Sequence, residues 1–108
     1  MAAFELRKSD DGHFSFSLLG DDDKTLLKSE QYNSKASAQN GIESIRKNSA
    51  EDGRYELKES NNGKFYFNLK ATNGQIIGTS PLFADEAARE AAIAKVKVEA
   101  ASASVLEG

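Results

Sequence analysis

Displaced by 51 positions, this sequence lies over itself without a gap. Phe4-Glu5-Leu6-Arg7 falls on Tyr55-Glu56-Leu57-Lys58, Ser9-Asp10-Asp11-Gly12 on Ser60-Asn61-Asn62-Gly63, and Phe14-Ser15-Phe16-Ser17-Leu18 on Phe65-Tyr66-Phe67-Asn68-Leu69. The register continues through Leu26/Ile77, Ser29/Ser80, Tyr32/Phe83, Ala36/Ala87, Ile42/Ile93 and Ile45/Val96, so apolar positions meet apolar ones over about 46 residues. Such a tandem duplication means that whatever one copy folds into, the other must match. Repeat 1 covers 3–49, repeat 2 covers 54–100, and 101–108 form a tail, all within one domain spanning 1–108. Units this small are marginal on their own, so the two halves must share a core.

Each copy changes hydrophobic period partway along. Phe4, Leu6, Phe14, Phe16, Leu18 and Leu26 alternate with polar residues, the pattern of half-buried strands. A three-residue loop at Asp10-Asp11-Gly12 sets Phe4 against Leu18 and Leu6 against Phe16, each pair on one face. A two-residue turn would set Phe16 against Arg7 and mix the faces, so the longer loop is preferred. Asn61-Asn62-Gly63 repeats it. Thr72-Asn73-Gly74 then sets Leu69 against Ile77, and Asp21-Asp22-Asp23 sets Leu18 against Leu26, with Asp23 taking the positive φ that Gly74 takes in the second copy.

Beyond the third strand the period lengthens to that of a helix. Ser34 and Asp85 occupy matching N-cap positions, each opening a helix of about 13 residues. The first helix is expected to bury Ala38, Gly41, Ile42 and Ile45; the second, Ala88, Ala92, Ile93 and Val96. Tyr32 and Phe83, two residues before the caps, anchor the helix entrances. The fold class is therefore α+β: two tandem β-β-β-α(-β) repeats forming one antiparallel-rich sheet with two helices packed on one face. The tail adds a seventh strand if the repeat extends to it, because Leu106-Glu107 falls one further repeat length beyond Tyr55-Glu56 and Phe4-Glu5; the alternative reading takes Leu-Glu as a cloning scar.

Composition excludes several classes. No cysteine is present, which removes disulfides, thiolate metal sites and Cys nucleophiles and fits a reducing cytoplasm. The start Met1-Ala2-Ala3-Phe4-Glu5 lacks secretory-signal character, and no apolar run reaches membrane-spanning length, so a cytoplasmic protein with no membrane association is expected. Fourteen Lys plus Arg stand against 17 Asp plus Glu, a net charge of −3 with no basic cluster, which argues against nucleic acid as a partner. One histidine and no cysteine leave transition metals without a ligand set. Asp21-Asp22-Asp23 lacks the spaced ligands of a calcium loop. No phosphate-binding or dinucleotide motif and no nucleophile elbow is present, so no cofactor is expected and nothing argues for an enzyme. His13 is matched by Lys64, as suits a solvated turn position.

Together the copies resemble the YegP-like domain, a small bacterial and archaeal module that occurs singly or in tandem. In copy one the resemblance rests on Phe4-Glu5-Leu6, Gly12, Phe14, Phe16, Leu18, Ser29-Glu30, Tyr32, Lys35, Ala38 and Asn40 through Arg46. In copy two it rests on Tyr55-Glu56-Leu57, Gly63, Phe65-Tyr66-Phe67, Leu69, Ala71, Asn73-Gly74-Gln75, Ile77 and Ser80. It implies a β-β-β-α-β unit whose pairs build one sheet by exchanging the terminal strand, and it implies no activity. Copy two departs from the family pattern with Pro81 for Glu30, Ala91-Ala92 for Asn40-Gly41 and Ala94-Lys95 for Glu43-Ser44. A polar site, if the domain has one, falls on the cluster copy one keeps: Glu30, Tyr32, Asn40, Glu43 and Ser44. A small-molecule or enzymatic reading needs a concave pocket holding Glu30 with Tyr32. The plainer reading makes Gly41 a packing glycine and the polar residues a solvated helix edge.

The sheet face away from the helices offers a second candidate. Between the core positions fall Arg7, Ser15, Ser17, Leu19, Thr25 and Leu27 in copy one, and Lys58, Tyr66, Asn68, Lys70, Ile76 and Gly78 in copy two. Leu19, Leu27, Tyr66 and Ile76 are apolar for an exposed face. The preferred expectation is a non-catalytic module that binds an unidentified protein or peptide through this open face or through a sheet edge. Sheet-type nucleic-acid readers need several exposed aromatics, and here mainly Tyr66 is left outside. Because one chain carries both halves, a monomer is expected.

Overall fold

Turn chemistry sets the strand order. The computed structural model, which describes residues 2–107, has strands β1 (Ala3–Lys8), β2 (Phe14–Leu19) and β3 (Thr25–Lys28), then helix α1 (Lys35–Asn48). A 3₁₀ turn (Asp52–Arg54) leads to β4 (Tyr55–Glu59), β5 (Phe65–Lys70), β6 (Ile76–Thr79) and α2 (Glu86–Glu99). A second 3₁₀ turn (Ala100–Ser102) delivers the chain to β7 (Ser104–Glu107). Gly12, Gly63 and Gly74 take φ of 86°, 78° and 84°, and Asp23 takes 62°. The left-handed residue therefore falls where the loop arithmetic requires it in all four hairpins. The first hairpin of each copy keeps the expected register, with Phe4 opposite Leu18, Leu6 opposite Phe16, Tyr55 opposite Leu69 and Leu57 opposite Phe67.

The second hairpins do not. Leu19 faces Thr25 and Lys70 faces Ile76 as expected, but a bulge then shifts the ladder, so Leu18 faces Leu27 and Leu69 faces Gly78. In a bulge two residues oppose one, and alternation is locally lost. Leu26 and Leu27 consequently both enter the core, at 5 % and 0 % exposure. This corrects the placement of Leu27 and Gly78 on the open face.

All seven strands form one sheet in the order β4-β5-β6-β3-β2-β1-β7. The halves join at the centre, where β3 and β6 run antiparallel with Lys28 opposite Thr79. Those two residues are 51 apart and equivalent in the repeat, so a local two-fold axis passes between them. Leu27 and Gly78 are likewise equivalent and flank this axis. A Cβ built on Gly78 meets both methyls of Leu27 and Cδ1 of Ile45 at 3.5 Å. One leucine fills the space; a second has nowhere to go.

Both helices cover the face that carries Phe4, Leu6, Phe16, Leu18, Phe67 and Leu69, giving a two-layer core. Ser34 Oγ accepts from the Ser37 N–H at 3.1 Å, and Asp85 Oδ1 accepts from the Ala88 N–H at 2.8 Å, the expected caps. Tyr32 and Phe83 exchange backbone hydrogen bonds with Phe14 and Phe65 and stack on Phe16 and Phe67, with ring centroids 6.1 and 6.5 Å apart. α1 buries the residues expected of it; α2 buries Arg89 rather than Ala88, which is only half-buried. The tail does form a strand, β7, which lies parallel to β1 with Phe4 beside Val105 and Leu6 beside Glu107.

Leu27→Ala should lower the unfolding free energy by about 3 kcal/mol, as a leucine lost from a packed core does. Leu19→Ala, at a half-buried position, should cost well under half of that in the same urea titrations.

Candidate functional site

The polar cluster of copy one divides into separate neighbourhoods. Glu30 is exposed at the rim of an open groove of about 350 Å³ that is also lined by Lys28, Ser29, Ile76, Gly78, Thr79 and Ser80. Tyr32 is not part of that lining; its ring lies between Phe16 and α1, over Gly41. A Cβ at position 41 would sit 2.5 Å from Tyr32 Oη and 2.9 Å from Cζ. Gly41 is therefore present because the phenol occupies the methyl's place. In copy two the pair is Phe83 and Ala92, the hydroxyl gone and the methyl restored. Burial raises the Tyr32 pKa, with the charge of Glu30 a smaller contribution in the same direction. Asn40 is exposed, and the Ser44 carbonyl accepts from Asn48 Nδ2 at 2.8 Å. Glu43 points elsewhere, to an ion pair with Arg46.

Neither do the apolar residues of the open face gather. Leu27 is buried, Leu19 and Tyr66 are half-buried, and Ile76 is 41 % exposed. Ile76 faces Lys70 at one end of β5, while Tyr66 lies four residues away at the other, about 13 Å along a strand. Polar groups on this face are mutually satisfied instead. Thr79 Oγ1 donates to Asn68 Oδ1 at 2.8 Å, Asn68 Nδ2 to Glu56 Oε1 at 3.0 Å, and Lys70 Nζ to Glu56 Oε2 at 2.9 Å. Lys70, and then Asn68, hold the Glu56 carboxyl below its ordinary range. His13 is engaged in its turn, with Nδ1 3.0 Å from Asp11 Oδ1. An open trough of about 520 Å³ runs between α2 and the start of β3, with Leu26, Pro81, Phe83, Ala88, Ala91 and Ala92 among its walls. Among the described residues no His, Cys, Asp or Glu cluster is arranged to hold a metal ion, and no helix is long and apolar enough to cross a membrane.

The two outermost repeat-equivalent strands, β1 and β4, differ more than any other pair of elements. β1 has β2 on one side and β7 on the other, whereas among the described residues β4 is paired only with β5. Leu6 is 3 % exposed and its equivalent Leu57 is 49 % exposed. The walls beside the two strands are otherwise built alike. Arg46 lies over the Phe4 ring at 5.5 Å, and its equivalent Lys97 lies over the Tyr55 ring at 5.6 Å. Arg46 Nη2 donates to the Ala103 carbonyl at 2.6 Å, just before β7. Lys97 pairs with Asp52, the residue equivalent to Ala103, in the turn before β4.

Between β4 and α2 remains a groove of about 210 Å³, lined by Asp52, Tyr55, Leu57, Glu90, Ile93 and Lys97. At its far end Arg89, 7 % exposed, donates from Nη1 to the Lys58 carbonyl at 3.2 Å and lies over the Phe65 ring at 5.3 Å. Leu57, Arg89 and Lys97 are residues that sequence reasoning missed. The repeat held the signal: Leu57 aligns with Leu6 and Lys97 with Arg46, while one tail strand serves two equivalent edges.

This geometry defines a class: a duplicated α+β sandwich in which the strand after each helix crosses to the other half. The chain belongs to the family described as "Domain of unknown function (DUF1508)", which it matches twice, over residues 9–56 and 60–107. Each match ends at the strand after a helix, the first within β4 and the second within β7. The chain is 54 % identical over 102 residues to the UPF0339 protein YegP of Escherichia coli O6:H1, covering 94 % of this chain and 93 % of that one. It is 52 % identical over 96 residues to UPF0339 protein PA0329 of Pseudomonas aeruginosa, covering 89 % and 87 %. The solution structure of yegP from E. coli, described as a protein of unknown function, aligns with a TM-score of 0.93 at 50 % identity, covering 99 % of this chain and 92 % of that one. That of UPF0339 protein SO3888 from Shewanella oneidensis aligns with the same TM-score at 40 % identity, covering 98 % and 90 %. The family and the α+β fold are thus established, and no specific activity comes with them.

The Gly41–Tyr32 contact gives a test of signs. Gly→Ala inside a helix ordinarily stabilises by about 1 kcal/mol, but Gly41→Ala alone should destabilise, because the new methyl meets the phenol. In the Tyr32→Phe background the same substitution should become neutral or stabilising, and a double-mutant cycle by thermal unfolding measures the difference.

Proposed function

We propose that this protein is a non-catalytic interaction module, monomeric and cytoplasmic, whose β4 edge receives an extended segment of a protein or peptide partner. The observation that carries the reading is the contrast between Leu6 and Leu57, 3 % against 49 % exposed at equivalent positions of two equivalent strands. An edge strand presents unpaired backbone groups, and with an apolar side chain beside them it is a template for strand addition. The neighbouring groove supplies side-chain contact through Tyr55, Ile93 and Lys97. Glu30 and Tyr32 share no groove, which favours binding over catalysis, and the net charge of −3 disfavours phosphate-rich partners. A cytoplasmic setting suits a chain without cysteine. The monomer follows from both halves being present in one chain.

Leu57→Lys places a charge on the edge at an already exposed position, so its thermal midpoint should stay within about 2 °C of wild type. In parallel affinity captures from native lysate read by mass spectrometry, a partner retained by wild type should be lost from the Leu57→Lys protein. Identical partner sets for the two proteins would sink the edge reading. Sedimentation of the wild-type chain should give a single monomeric species, and an obligate dimer would contradict the monomer proposal.

A further inference from the structure

The chain has already solved the problem of seating a strand on this kind of edge, once, with β7 on β1. β7 uses only four residues, and parallel pairing sets Val105 beside Phe4 and Glu107 beside Leu6. Since Phe4 and Leu6 face the helices, Val105 and Glu107 face the same way. Two features hold the strand besides its ladder. Arg46 grips the Ala103 carbonyl where the strand begins, and Lys35 pairs with Glu107 where it ends. Lys8 and Lys35 line one small groove with Glu107, so the seat for that last residue is basic.

Carried across the repeat, the apolar part of this seat and the cation at its start are kept, while the charges where the strand ends are inverted. Phe4, Leu6 and Ile42 become Tyr55, Leu57 and Ile93, while Arg46 becomes Lys97. Lys8, Lys35 and Gln39 become Glu59, Glu86 and Glu90. All three carboxylates lie at exposed positions, and Glu90 borders the groove beside Leu57. An acidic residue at the end of an incoming strand would face like charges here, and a basic one would face opposite charges.

Resting on the reading of β4 as a receiving edge, we infer that its occupant is a parallel strand of another protein with an apolar residue beside Tyr55 and a Lys or Arg beside Leu57. The apolar side chain enters the groove against Leu57 and Ile93, and the basic end meets Glu59, Glu86 and Glu90. The open stretch lies between the Asp52–Arg54 turn and the Lys58 carbonyl held by Arg89, a span comparable to that of β7. The same charges exclude this chain's own tail. A β7 strand seated on the β4 edge of a second copy would make a head-to-tail contact, which closes into a ring or grows into a filament. Glu107 against three carboxylates opposes that contact, so the inversion selects a foreign strand and blocks self-assembly together.

The test titrates the full-length, isotope-labelled protein with two synthetic peptides, one spanning residues 101–107 and the other the same segment with Glu107→Lys. The Glu107→Lys peptide should shift the amides of Tyr55 to Leu57 saturably and bind at least about fivefold more tightly than the native-sequence peptide at low salt. The advantage should shrink as salt is added. A spin label on the peptide N-terminus should broaden residues near Asp52, and one on the C-terminus residues near Glu59, as parallel addition requires. The Glu59→Lys/Glu86→Lys protein, checked for native circular dichroism, should reverse the peptide preference and self-associate with rising concentration in sedimentation. No response on β4, equal affinities for the two peptides, or the opposite label pattern would overturn the inference. If Leu57→Lys still abolishes partner capture while the peptides bind equally, the receiving edge stands and the charge rule fails.

Discussion

The contact between β3 and β6 is the joint on which everything else depends. Without it neither half has a sheet wide enough to hold its helix, and the joint is short, with Lys28 opposite Thr79 as its ladder pair. Its strength lies in what fills the space beside the axis. Leu27 projects from one half into the place left by Gly78 of the other, against Ile45 of α1. A symmetric pair would have to put the same residue at both positions, and two leucines would collide while two glycines would leave a void of leucine size. Gene duplication removes that restriction, because the two copies can take different residues around one axis.

The same freedom accounts for the other differences between the copies. Tyr32 over Gly41 and Phe83 over Ala92 are two solutions to packing a ring against a helix, each internally consistent, and a tyrosine placed over the alanine would clash. At the outer strands the difference is one of cover. Repeat logic produces three equivalent strands, β1, β4 and β7, for a sheet with two equivalent places beside β2 and β5. The third strand becomes an extra layer on β1, and the matching layer on β4 is absent. Leu57 stays exposed there, with Glu59, Glu86 and Glu90 standing where the first copy has Lys8, Lys35 and Gln39.

Much of this was legible in the sequence. The loop arithmetic placed Gly12, Gly63, Gly74 and Asp23 at positive φ, and the N-caps Ser34 and Asp85 stand where the change of period put them. The bulges were not legible, because Leu26-Leu27 and Ile77-Gly78 each fit an alternating strand in either register, and the choice is made by the joint between the halves. Arg89 was missed because an arginine on an alanine-rich helix reads as solvated, whereas its guanidinium is buried over Phe65 and on the Lys58 carbonyl. The residues of the candidate cluster in copy one are positions at which the two copies differ. Their separation could not be read, since Glu43 pairs with Arg46 on α1 while Glu30 lies at the central joint. The open edge was hidden for a simpler reason: pattern tells which side chains point inward, and only the count of strands against places tells which of them stays uncovered.

β1 and β4, equivalent in sequence, are unequal in cover. Residue-resolved amide hydrogen exchange measures this directly, because a strand paired on both sides protects every amide and an edge strand protects those that face its one partner. Protection should approach the global-unfolding limit throughout Phe4 to Leu6, with alternate amides between Tyr55 and Glu59 exchanging close to the unprotected rate. Uniform protection along β4, equal to that of β1, would contradict it.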